Sequence, residues 1–83
     1  MSYKIAFKKS VSRDLKKIGK NQAERILTKI EERLPEKADT FPSLTGKFAA
    51  LRKFRVGDYR VIYTIIEDSV LILRISRRRD SYR

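Results

Sequence analysis

The sequence predicts an α+β fold: a single small domain over residues 1–83, in the order β-α-α-β-β-β, with two helices packed on one face of a mainly antiparallel four-stranded sheet. Three observations predict it. The opening residues alternate apolar and polar, residues 11–34 carry apolar stripes at helical spacing, and from Leu51 onward three β-patterned runs are separated by short turn signals. There is no internal repeat and no linker between domains.

Each element can be justified in turn. Tyr3, Ile5 and Phe7 alternate with Lys4, Ala6 and Lys8, as a strand with one buried face requires. Ser10 or Ser12 is expected to cap the first helix, where Val11, Leu15 and Ile18 share a face and Gly19 supplies a stop. Asn21 followed by Glu24 resembles a capping box, and Ala23, Ile26, Leu27, Ile30 and Leu34 make the stripe of a second helix over about 21–34. Pro35 disfavours helical geometry at Leu34, so the helix is expected to end there, and EKADTFPSLTGK reads as a loop. The runs LRKFRV, DYRVIYTII and VLILRIS, separated by Gly57-Asp58 and Glu67-Asp68-Ser69, predict an antiparallel meander. Tyr59 to Ile66 is apolar on nearly both faces, which predicts a central strand covered on both sides.

Composition narrows the chemistry. With 41% hydrophobic residues the charge lies on top of a real core. The chain contains no His and no Cys, which removes a histidine general acid, a cysteine nucleophile, a thiolate zinc site and any disulfide. No cofactor and no metal are expected. No apolar run approaches the ~20 residues of a membrane span, and the N-terminus is too short and too alternating for a signal peptide. A cytoplasmic protein with no membrane partner is the expectation. Glu24, Glu31, Glu32 and Glu36 read as solvated partners of helix bases.

Net charge is +11, from 21 bases and 10 acids, and it is unevenly placed. Residues 1–20 hold seven bases and one acid and residues 51–83 hold nine and four, while the middle balances five against five. A field of this strength at both ends favours a polyanion. Lys53 and Arg55 are two apart on one strand and share a face, with Phe54 and Val56 on the other. Arg60 interrupts an apolar strand, so it must meet an acid such as Asp58 or Asp80, a solvated cleft or a bound anion. Arg77, Arg78, Arg79 and Tyr82 follow a strand expected to pair with 59–66. With Lys53 and Arg60 they converge on a phosphate, arginine forks matching its oxygens and tyrosine offering a stacking face or a phenol. Arg52, Arg55, Arg77 and Arg79, with Lys8, Lys9, Arg13, Lys16 and Lys17 near the first helix, form the surrounding surface expected to bind nucleic-acid phosphates.

The stretch LRKFRVGDYRVIY, an acidic turn, VLILRIS and an Arg-rich, Tyr-ending close resemble the RelE/ParE toxin superfamily, specifically its RelE-like ribosome-dependent endoribonucleases. The resemblance spans nearly the whole chain and is most specific in RVGDYRVIY. It implies a type II toxin that enters the A site of the 30S subunit in the 70S ribosome and cuts the mRNA there. The 2′-hydroxyl would attack the adjacent phosphate. It further implies a cognate RelB-like antitoxin, with operator DNA reached only through the toxin–antitoxin complex. Residue by residue, Arg60 matches the family's central-strand arginine, Lys53 a lysine of the preceding strand, Arg78 the arginine of the final segment and Tyr82 its tyrosine. Leu51 stands where some members carry a second lysine, and Arg77 where shorter relatives carry histidine. Which of Arg77, Arg78 and Arg79 meets the phosphate stays open. Two other readings fit the same residues: a ParE-like inhibitor of DNA gyrase, and a non-catalytic basic module that binds RNA or the ribosome.

Overall fold

The computed structural model describes residues 2–44, 46–48 and 50–77. Within them lie strand β1 (Lys4–Phe7), helices α1 (Lys9–Ile18) and α2 (Lys20–Lys37), and strands β2 (Leu51–Val56), β3 (Tyr59–Ile66) and β4 (Ser69–Arg77). Short 3-10 turns at Ala38–Thr40 and Gly46–Phe48 connect α2 to β2. The expected order β-α-α-β-β-β is present.

The sheet order is β1-β4-β3-β2. The helix pair carries the chain from β1 across to β2 at the far edge, and β2, β3 and β4 form an antiparallel meander that brings β4 back in parallel beside β1. One face of the sheet supplies Phe54, Val56, Val61, Tyr63, Val70, Ile72 and Ile75, and the helices bring Val11, Ile26, Ile30 and Leu34 onto it. All are buried, and each such aliphatic side chain contributes about 1.5–3 kcal/mol by leaving water.

Both helix starts differ from expectation. α1 begins one residue before Ser10, with Lys8 at the cap position and no side-chain cap, and the Ser12 hydroxyl donates back to the Lys9 carbonyl at 2.9 Å. α2 begins immediately after Gly19, so Asn21 lies inside the helix rather than capping it. Packing of the apolar stripes decided these boundaries over local cap chemistry.

The second helix also does not stop at Leu34. It runs to Lys37 with Pro35 inside it, and Ala38 N–H still closes a turn onto the Leu34 carbonyl. Proline removes one helix hydrogen bond, but continuing the helix buries both Leu34 and Ala38 and leaves the Pro35 carbonyl to accept the Tyr3 N–H at 2.7 Å. The helix end thereby docks on the chain just before β1.

The expectation that β3 is covered on both faces is corrected as well. Its burial alternates, with Val61 and Tyr63 fully buried while Arg60, Ile62 and Thr64 are only half-buried. Helices cover one face; the other is open among the described residues. Its β-branched Ile62 suits a pleated, half-wet surface as well as a core.

Candidate nucleic-acid interface

The open face is where the expected bases assemble. Strand register puts Arg60 opposite Arg55 on one side and Ser76 on the other. Lys53 lies opposite Ile62, and Arg74 flanks Ile62 on its far side. Since neighbouring strands are ~4.8 Å apart, Lys53, Arg55, Arg60 and Arg74 occupy a patch about 10 Å wide. Like charges directly across a strand pair are unfavourable, so the Arg55–Arg60 register suits a surface that meets an anion.

Local contacts fix these side chains. The segment 42–44 closes the outer edge of β2: Ser43 bridges to Arg52, Leu44 N–H donates to the Leu51 carbonyl, and Lys53 N–H donates to the Pro42 carbonyl at 3.1 Å. Capping an edge this way leaves it unavailable for pairing with another chain and holds Lys53 in register. Arg55 Nε donates to the Gly57 carbonyl at 3.2 Å across the β2–β3 turn, where Gly57 takes a left-handed φ of 57°. A cleft of about 390 Å³ opens beside them, lined by Lys53, Arg55, Arg60 and Arg33 of α2, with Phe41 and Pro42 on its wall. Phe41 packs on Phe54 with ring centroids 4.9 Å apart, which closes the apolar side of the cleft.

Not every expected residue joins this set. Arg52 has the parity of Phe54, and its guanidinium donates to the carbonyls of Phe41 at 2.6 Å and Asp39 at 3.4 Å. It ties down the chain after α2 and does not share the open face with Lys53. Lys8, Lys9, Arg13 and Lys16 are exposed at or on α1, a helix packed against the opposite face of the sheet. Arg77 lies opposite Tyr59, out of phase with Arg60, and shares a second cleft with Lys17. Arg78, Arg79 and Tyr82, and the alternative partner Asp80, lie outside the described residues.

Two basic residues of these clefts escaped the sequence reading. Arg33 sits on the helix just before buried Leu34, and only the return of the chain through Phe41 and Pro42 brings it near β2. Arg74 did carry a signal, since it stands where the alternation of VLILRIS would place a core residue.

Among the described residues, one group near this interface is strongly perturbed. Tyr63 is fully buried, and its hydroxyl donates to the Ala38 carbonyl at 2.6 Å. Burial pushes its phenol up to about 12; Arg52 opposes that rise, while Asp39 and Tyr3 reinforce it. Its role is structural.

With that geometry in place, comparison with known proteins defines the class. Residues 5–82 match the model of the ParE toxin family of type II toxin–antitoxin systems, parDE. The fold is that of solved toxins from both branches of the RelE/ParE superfamily. The RelBE2 toxin–antitoxin complex from Mycobacterium tuberculosis matches at TM-score 0.86 and 24% identity, over 93% of this chain and 92% of that one. The archaeal RelE–RelB complex from Pyrococcus horikoshii matches at TM-score 0.65 and 30% identity, over 94% and 97%. The chromosomal ParDE system from P. aeruginosa matches at TM-score 0.72 and 16% identity, over 92% and 96%. No curated protein matches the chain by sequence. The chain belongs to the ParE toxin family within the RelE/ParE superfamily, and is a toxin of the type II toxin–antitoxin kind.

Proposed function

We propose that this toxin is a ribosome-dependent endoribonuclease that cuts mRNA in the A site and is neutralised by a cognate RelB-like antitoxin. The observation that carries the reading is the convergence of Lys53, Arg55 and Arg60 on one sheet face, open among the described residues and beside a cleft, with Ser76 of β4 directly opposite Arg60. In the reaction the 2′-oxygen bonds to the adjacent phosphorus and the bond to the 5′-oxygen breaks. The products are a 2′,3′-cyclic phosphate and a free 5′-hydroxyl. One proton leaves the attacking hydroxyl and one reaches the departing oxygen. Arg60 and Lys53, with Arg78 or Arg79, hold the phosphate and stabilise the charge that builds on it, and Tyr82 activates or positions the nucleophile. A site without histidine depends on orientation of its substrate, which the ribosome supplies.

The test programmes ribosomes with a defined A-site codon and maps the message 5′ ends by primer extension. Wild type should cut in phase with the codon, and Arg60→Ala should slow cutting by about 100-fold or more, the cost of losing one donor to a transition-state oxyanion. An uncut message with both proteins would sink the reading. A second reading is favoured by the name of the matching family: inhibition of DNA gyrase by binding alone. A supercoiling assay separates the two, since gyrase inhibition without mRNA cleavage reverses their order.

A further inference from the structure

β4 outruns its parallel partner. β1 pairs only with Ser69 through Ile72, so the rest of β4 faces α1 instead. There the Asp14 carboxylate accepts the Ile75 N–H at 3.0 Å. Just before this contact the strand bulges: Tyr63 lies opposite Ile72 but Ile62 lies opposite Arg74, leaving Leu73 as the extra residue. In an unbroken strand Arg74, two residues after buried Ile72, would point into the core, where an unpaired guanidinium is very costly. The bulge turns Arg74 out to solvent and returns Ile75, 1% exposed, to the core.

A cleft of about 370 Å³ lies between α1 and this half of β4, lined by Lys17, Arg74, Arg77, Tyr59, Ser76 and Asp14. It sets three cations against one carboxylate, and that carboxylate is already engaged with the Ile75 amide. Among the described residues no hydrogen bond or ion pair takes up the head groups of Lys17, Arg74 or Arg77. The volume is at the small end of ligand clefts, enough for one phosphate with its sugar or base. Its wall is mainly polar, unlike the apolar anchor pockets that peptides use.

We propose that this cleft is a second phosphate subsite for single-stranded RNA, distinct from the Lys53–Arg60 cleft. Arg74 and Arg77 take a backbone phosphate with paired N–H donors, Lys17 adds a third charge, and the ring of half-buried Tyr59 offers a face to a base. Ser76, which lines this cleft, lies directly opposite Arg60, which lines the other, so the two clefts have lining residues on adjacent strands and one RNA backbone spans both. The inference rests on the reading of the toxin as RNA-directed.

The experiment is fluorescence anisotropy of the full chain with a labelled six-nucleotide single-stranded RNA over a series of NaCl concentrations. The double variant Arg74→Ala/Arg77→Ala should bind about tenfold more weakly, with a salt slope reduced by about 1.4, the value for two lost contacts to single-stranded phosphates. Lys20→Ala/Arg25→Ala, an equal charge loss on exposed positions of α2, should change affinity less than about twofold. If both doubles weaken binding equally, the general field is responsible and the subsite is overturned. Arg74→Gln, which keeps a long polar side chain, should show a smaller loss at unchanged melting temperature; an unaltered affinity counts against the proposal. In NMR titrations, RNA should shift the amides of Tyr59, Arg74 and Arg77 at micromolar concentration. The same shifts produced only by millimolar inorganic phosphate would reassign the cleft to a free anion. Binding of a poly-glutamate peptide that depends on Arg74 and Arg77, with RNA binding intact, would reassign it to an acidic protein partner. Cleavage on ribosomes keeps the two ideas separable. A wild type that cuts, beside an Arg74/Arg77 variant that binds RNA normally, removes the subsite alone. Loss of RNA binding in that variant, beside a wild type that leaves the message uncut, supports the subsite and removes the ribosomal reading.

Discussion

Tyr63 and Arg52 face each other across β2 and β3, and together they hold the segment that follows α2. Tyr63→Phe leaves the buried Ala38 carbonyl without its donor, so urea unfolding at neutral pH should show a loss of about 1–2 kcal/mol. The same phenol makes stability pH-dependent. Below pH 10 both folded and unfolded states keep its proton; between 10 and about 12 only the folded state keeps it, so folding weakens as pH rises. The total contribution is about 2–3 kcal/mol. Tyr63→Phe should lack this step, so the stability difference between the two proteins should shrink above pH 10 and vanish or reverse by about pH 12; a difference that stays constant to pH 12 would contradict it. At this scale the shared face of Lys53 and Arg55 was legible, because strand alternation alone sets it. The placement of Arg52 was not, because its partners are the carbonyls of Asp39 and Phe41, which a sequence does not display.

Among the elements, the junction of the two helices turns on one residue. Gly19 ends α1 by donating to the Leu15 carbonyl at 3.1 Å and starts α2 by accepting the Ala23 N–H at 2.9 Å, at φ 99° and ψ 154°. A Cβ there would meet nothing within 4 Å, so the need for glycine is purely conformational. Gly19→Ala should cost about 1–3 kcal/mol, read as a lower denaturation midpoint with an unchanged urea slope. The stop at Gly19 was readable from glycine's own chemistry. The helix end at Pro35 was misread because the benefit of passing it comes from Leu34, Ala38 and Tyr3, contacts remote in sequence or made after folding. The bulge in β4 was missed for a related reason. Arg74 breaks the apolar alternation, but only the pairing with β3 shows that the chain absorbs it by inserting Leu73.

For the whole molecule the dominant quantity is a net charge of +11 on 83 residues. Self-repulsion of this size destabilises the compact state and is screened once the Debye length falls below ~10 Å, near 0.1 M salt. Raising NaCl from about 0.02 to 0.5 M should therefore raise the melting temperature by a few degrees, and sulfate at matched ionic strength should raise it further by occupying the arginine clefts. A melting temperature that falls with salt would show that attractive pairs outweigh repulsion. The ion pairs Lys4–Asp68 at 3.9 Å and Lys29–Glu32 at 3.5 Å are exposed and add little.

By itself the sequence determined the element order, the core stripes, the exclusion of histidine and cysteine chemistry, and the family, because periodicity, residue type and a local motif are all one-dimensional properties. Only the tertiary structure decided which bases share a surface. Arg55 meets Arg60, Arg33 reaches the same cleft, Arg52 turns away to two carbonyls, and Arg74 and Arg77 pair with Lys17 beside α1. The reason is that strand register, a one-residue bulge and the return of a loop assign each side chain to a face, and all three are set by packing between segments far apart in the chain.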